Sequence, residues 1–105
     1  MAFANLFEEI RNRLLREDTG RLADPFTFQI DMTGPDAGTF SVAFQDGTLC
    51  VEPFAHPSHD VLLTVSSGDL LDLLDRRADP IEAFLSGKIK AKGNLAKLIS
   101  LKDLL

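Results

Sequence analysis

Tryptophan and tyrosine are absent from this 105-residue chain, and cysteine occurs once, at Cys50. A lone cysteine excludes an internal disulfide and agrees with a reducing compartment. No apolar run comes near the roughly 20 residues that a membrane-crossing helix needs; those present are short and charge-interrupted, such as VLLTV at 61–65. The opening MAFANLFEEIRNRLLRED has no basic start, apolar centre and small-residue cleavage site of the secretory kind. The expected location is therefore the cytoplasm. A basic excess is missing as well: the formal net charge is -5, which argues against general nucleic-acid binding, since that depends on neutralising phosphates. The glycines of GPDAG and QDGT read as turns, with no phosphate-cradling loop among them.

What is present is the composition of one globular domain over residues 1–105, with 45% hydrophobic and 26% charged residues. Charge is unevenly spread. From Ser86 onward five lysines face a single acid, Asp103, so the acidic excess lies in residues 1–85.

Hydrophobic periodicity changes several times along the chain. Phe3, Leu6, Phe7, Ile10 and Leu14 recur at helical spacing, which predicts an amphipathic helix ending near Gly20. Its stripe suits core packing; the mixed Glu and Arg on its polar face differ from the Lys/Arg-rich face of an interfacial helix, so transient membrane contact is the secondary reading. Phe26, Phe28, Ile30 and Met32 then alternate with polar residues, as do Phe40, Val42 and Phe44, which predicts two strands with one wet face. Asp46-Gly47 signals a tight hairpin into TLCVEP, with Leu49 and Val51 inward. FAHPSH reads as a loop and DVLLTV as a fourth strand. Ser66 with Asp69 opens a leucine-rich helix in the manner of a capping box. Asp79 and Pro80 start a second short helix that Gly87 stops. KIKAK alternates as a last strand, and Gly93-Asn94 leads into a closing helix carrying Leu95, Leu98, Ile99, Leu101, Leu104 and Leu105. The order predicts an α+β fold with a five-stranded, mainly antiparallel sheet and helices packed on one face.

Chemistry-bearing groups are few. Lys88, Lys90 and Lys92 fall on one face of the predicted last strand: either an anionic headgroup or phosphate contact, helped by Lys97 and Lys102, or a solvated face that discourages edge pairing. His56 and His59, near Cys50 and Asp60, are zinc-ligand types, but they flank Pro57 in a loop and lack a second ligand pair, so no metal is expected. Ser66, Ser67, Asp69 and the histidines contain the residue types of a hydrolytic triad. Cap chemistry already accounts for Ser66 and Asp69, and there is no nucleophile-elbow pattern. The chain is read as a non-enzyme without cofactor.

The stretch SGDLLDLLDRRADPIEAFLSGKIKAKGNLAKLISLKDLL resembles the C-terminal half of the sterol carrier protein type 2 family, in which a leucine-rich helix leads to a DP..AF..GK.K..G segment and a closing helix. Asp79, Pro80, Ala83, Phe84, Gly87, Lys88, Lys90 and Gly93 match that pattern at the right spacing, whereas the first 65 residues match in element order only. The resemblance implies an apolar tunnel between a five-stranded sheet and its helices. It also implies non-catalytic binding of a fatty acid, fatty acyl-CoA, sterol or phospholipid. Eight phenylalanines without tryptophan or tyrosine suit an interior that accepts hydrocarbon and reads little polar chemistry. The residues expected to line the ligand space are Phe40, Phe44, Leu70, Leu74, Phe84, Leu95, Leu98 and Ile99. The alternative is an accessory interaction or homodimerisation module, whose groove takes a partner enzyme's segment or a quinone-like intermediate.

Overall fold

The computed structural model describes residues 3–16, 20, 22, 24–98, 100 and 102. The described elements are helix α1 (Phe3–Leu15), strands β1 (Phe26–Thr33), β2 (Gly38–Gln45), β3 (Thr48–Glu52) and β4 (Val61–Ser66), helices α2 (Ser67–Leu74) and α3 (Pro80–Leu85), strand β5 (Ile89–Gly93), and a 3-10 turn at Leu95–Lys97. Where the closing helix is expected to open, after Gly93-Asn94, Leu95–Lys97 forms that 3-10 turn instead; Ile99, Leu101, Leu104 and Leu105 lie outside the described residues.

The strands form one sheet in the order β3-β2-β1-β4-β5, antiparallel except where β4 runs parallel to β1. Period-two burial appears as expected: Phe26, Phe28, Ile30 and Met32 of β1 and Val61, Leu63 and Val65 of β4 are buried, while their neighbours are half-buried or exposed. Gln45 pairs with Thr48, leaving Asp46 and Gly47, both at positive φ, as the two-residue turn that the hairpin signal predicts.

The single parallel pair has a topological consequence. With β2 and β1 lying between β3 and β4, and with β3 and β4 running the same way, residues 53–60 must return across the sheet. The His56 N–H donates to the Gln29 side chain, which projects from the outer face, so this crossing partly covers the face that alternation leaves polar. Asp60 fastens its end: its N–H donates to the Thr27 carbonyl at 2.8 Å, its carboxylate accepts the Thr27 N–H at 2.9 Å, and its carbonyl accepts the Asn94 N–H at 2.9 Å.

Helices cover the inner face. Leu6, Phe7, Ile10 and Leu14 of α1 are buried in the cluster that holds the inward strand residues, and Arg11 Nε donates to the Val51 carbonyl of edge strand β3. The helix ends at Leu15 instead of near Gly20, just beyond its last buried residue, Leu14. An ion pair from Arg13 to Asp75 ties α1 to the end of α2. Ser66 caps α2 by accepting the Asp69 N–H, and Asp79 caps α3 by accepting the N–H groups of Ile81 and Glu82.

Both short helices end in the same way. The N–H of Gly87 reaches the Phe84 carbonyl and that of Lys88 the Ala83 carbonyl, with Gly87 at φ +85°. At α2 the corresponding bonds run from Arg76 to Leu73 and from Arg77 to Asp72, but the left-handed position is held by Arg76 at φ +59°. Lys88 therefore belongs to the α3 terminus. Of the three lysines expected on one strand face, Lys90 and Lys92 lie within β5, and Lys88 immediately precedes its first residue, Ile89.

Candidate functional site

The inner layer is the first candidate. From the sheet it receives Phe40, Phe44 and their neighbours, with Phe7 edge-on to Phe40 at 5.6 Å between ring centroids and Phe26 stacked between Phe28 and Phe44. From above it receives Leu70, Leu73 and Leu74 of α2, Ala83 of α3 and Leu98. Of the described residues that are fully buried, only Ser41 is polar, and it alternates with Phe40 and Val42 on the sheet's outer side. Burial of a polar group without a partner costs about 1–3 kcal/mol, so an interior with none is unstrained when it is filled with hydrocarbon.

The expected lining residues do not all occupy the same environment. Phe40, Phe44, Leu70, Leu74 and Leu98 are buried, and Phe84 is half-buried against the same cluster. Leu95 stands 45% exposed on the 3-10 turn, and Ile99 lies outside the described residues. Phe44 also borders an open cleft of ≈ 380 Å³ with Leu22, Pro25 and the Asp46-Gly47 turn.

Around α3 lie two adjoining clefts. One, of ≈ 640 Å³, is lined by Arg77, Ala78, Asp79, Glu82, Ala83, Leu85, Ser86 and Lys88. The other, of ≈ 300 Å³, shares Arg77, Ala78, Asp79 and Glu82 and adds Leu73, Arg76 and Pro80. Leu85, 77% exposed, projects at the rim. Sequence reasoning gave Arg76, Arg77 and Glu82 no part in a site. The signal that could have found them was the arginine that follows α2, where a helix of this ending usually places glycine.

The lysines are separated. Lys88 lines the larger cleft beside α3, whereas Lys90 pairs with Thr64 and Lys92 with Leu62 on the outer face, away from the helices. Lys97 is engaged, its ammonium donating to the Pro25 carbonyl. His56 accepts the Ser58 N–H at its Nδ1, and His59 Nδ1 meets the His56 carbonyl at 2.7 Å, so the pair stabilises the crossing loop. Among the described residues no three of His, Cys, Asp and Glu gather where they could hold a metal ion. No described helix is long and apolar enough to cross a membrane.

Residues 4–105 match the model of the SCP-2 sterol transfer family. Sterol carrier protein 2 from Bos taurus is 32% identical over 108 residues, covering 96% of this chain but only 20% of that protein, so this chain spans a fifth of its length. Non-specific lipid-transfer protein-like 1 from Caenorhabditis elegans is 26% identical over 109 residues, covering 100% of this chain and 92% of that one. Among solved structures, palmitated SCP2L2 from Aedes aegypti superposes with a TM-score of 0.73 at 24% identity, covering 99% of this chain and 94% of its own. That likeness establishes the shared fold.

Proposed function

The chain belongs to the SCP-2 sterol transfer family, and from that premise we propose that residues 1–105 form a single domain that binds an apolar lipid, without catalysis, between the inner sheet face and its helical cover. The ligand class is a fatty acid, a fatty acyl-CoA, a sterol-like molecule or a phospholipid. The observation that carries the reading is the composition of the interior: sheet and helices meet through phenylalanine and aliphatic side chains, with no buried polar group among the described residues on that side. Such a site gains about 0.8 kcal/mol per methylene taken from water and discriminates by length and shape. The palmitated Aedes aegypti protein makes a saturated acyl chain the first ligand to test.

Phe40, Phe44, Leu70, Leu74, Phe84 and Leu98 line the space in this proposal, with Leu95 at its exposed rim and Ile99 as a further member. Lys88 is retained as a headgroup residue; Lys90 and Lys92, on the far face of the sheet, are not.

Native mass spectrometry of gently purified protein, followed by organic extraction, tests the reading. A stoichiometric lipid supports it, as does its loss in folded Leu98→Glu or Phe84→Glu variants. Protein that stays empty after incubation with fatty acids, acyl-CoAs, sterols and quinones overturns it in favour of a partner-binding module.

A further inference from the structure

We infer that Phe3 is the end stop of the ligand space, the side chain that sets the longest acyl chain the domain holds. The inference rests on the lipid-binding reading and adds to it a limit on chain length.

The limit follows from a gap in the sheet. Along β2 the inward positions run Gly38, Phe40, Val42 and Phe44, and the first of them carries no side chain. Gly38 pairs with buried Met32 of β1, so the gap lies at one end of the inner face. Successive inward positions on a strand are about 7 Å apart. A hydrocarbon lying along β2 over Phe44 and Phe40 meets the Gly38 position next.

Phe3 fills that position from the helical side. A Cβ built at Gly38 would fall inside contact with Cγ, Cδ1 and Cε1 of the Phe3 ring, so the ring rests on bare backbone. Gly38 is not among the glycines with positive φ. Its backbone conformation is therefore one that other residues adopt, and the seated ring is what excludes a side chain there. From this seat the ring leads inward: Phe3 stacks on Phe7 with centroids 5.8 Å apart, and Phe7 stands edge-on to Phe40. Phe7 and Phe40 are buried whereas Phe3 is half-buried, which makes Phe3 the outermost of the three rings at this end.

The end stop is separable from the scaffold. Arg11 and Arg13 tie the later turns of α1 to β3 and α2, and Leu6, Phe7, Ile10 and Leu14 bury its stripe. Removing the Phe3 ring breaks neither tie and opens the position above Gly38.

The test is a displacement titration with saturated fatty acids from octanoic to docosanoic, competing against a fluorescent fatty acid. In wild-type protein affinity should rise about fourfold per methylene and stop rising at one chain length. Phe3→Ala should carry the rise to longer chains, and Phe3→Leu, which keeps an apolar side chain on α1, should move the limit in the same direction. Phe54→Ala, which removes a 56% exposed phenylalanine outside the core, should leave it in place. The seat itself is read from thermal midpoints: Gly38→Ala should lower the midpoint in wild-type protein and lower it less in the Phe3→Ala background, since the two residues are in contact. Equal drops overturn the seat. A wild-type profile with no limit, or a limit that Phe54→Ala moves as far as Phe3→Ala, overturns the end stop. So does a uniform loss of affinity at every length in the Phe3 variants with the limit unmoved, the signature of a structural role alone. Each of these leaves the lipid-binding reading intact; failure of wild-type protein to take up any acyl chain overturns both.

Discussion

Gly93 joins the last strand to the closing segment, and replacing it with alanine tests how tightly that joint is built. Its φ is +112°, beyond the left-handed basin, and a Cβ there would lie far inside contact with the Asp60 carbonyl oxygen while meeting the Asp60 carbonyl carbon at 3.2 Å and Val61 Cα at 3.3 Å. These are backbone atoms of the neighbouring strand and its lead-in, so no side chain can swing aside. Strain at such a φ costs about 1–3 kcal/mol. Parting β4 from β5 also weakens the Asn94 N–H to Asp60 carbonyl bond, worth about 1 kcal/mol. Against this, alanine reduces the freedom of the unfolded chain by about 0.4–1 kcal/mol. The expected net loss for Gly93→Ala is about 2–3 kcal/mol, a large share of the 5–15 kcal/mol typical of a domain. Gly47→Ala is the matched control: Gly47 also has positive φ, at +76°, but an added Cβ meets nothing within 4 Å, so it carries the backbone strain without the parted strands and its net loss should be smaller by about 1 kcal/mol or more. Urea denaturation followed by far-UV circular dichroism, with the m-value unchanged, measures both. Equal losses in the two variants would refute the close approach of β5 to Asp60.

Asp79→Ala removes the acceptor for the Ile81 and Glu82 N–H groups and should cost about 0.5–2 kcal/mol in urea denaturation. Lys90→Glu and Lys92→Glu should leave acyl-chain uptake unchanged in a fluorescence displacement assay, because both residues lie on the face opposite the helices; loss of uptake would place the site on the wrong side of the sheet. Arg13→Ala should lower stability by under about 1 kcal/mol, since its ion pair with Asp75 is partly exposed.

The elements could be read in the sequence because their periods differ sharply. Alternating Phe26 to Met32 cannot form a helical stripe, Asp46-Gly47 fits only a tight hairpin, and Asp79-Pro80 carries both the cap and the first helical residue of α3. Strand neighbours were harder to read. Alternation in DVLLTV states which residues are buried but not that β4 joins β1 in parallel, a pairing that needs a loop crossing the sheet, here one that bonds to Gln29 through the His56 N–H. Period two likewise placed Lys88 with Lys90 and Lys92, whereas its N–H closes α3 and removes it from the strand. The clefts around α3 were least legible. Arg76 occupies a left-handed backbone position for which the sequence offers no glycine, and Arg77 and Lys88 come to line one cleft only through the fold.

A filled interior and a lipid-binding role are compatible for an energetic reason. A standing void of roughly 300 Å³, at the lower end of ligand pockets, would cost about 7 kcal/mol at roughly 24 cal/mol per Å³. That approaches the whole stability of a domain of this size, so the ligand-free protein is expected to close its side chains over the space and reopen it on uptake. The sheet is poorly suited to yield, because β1 is held by ladders on both sides. Helix α3 is six residues long, packs chiefly on edge strand β5, and ends in exposed Leu85. Local opening should therefore concentrate in α3. Native-state hydrogen exchange provides the check: the Ala83, Ser86, Gly87 and Lys88 amides should exchange faster than those of β1 in empty protein and slow on loading with an acyl chain. If α3 is as protected as β1 before loading, the cover does not open there.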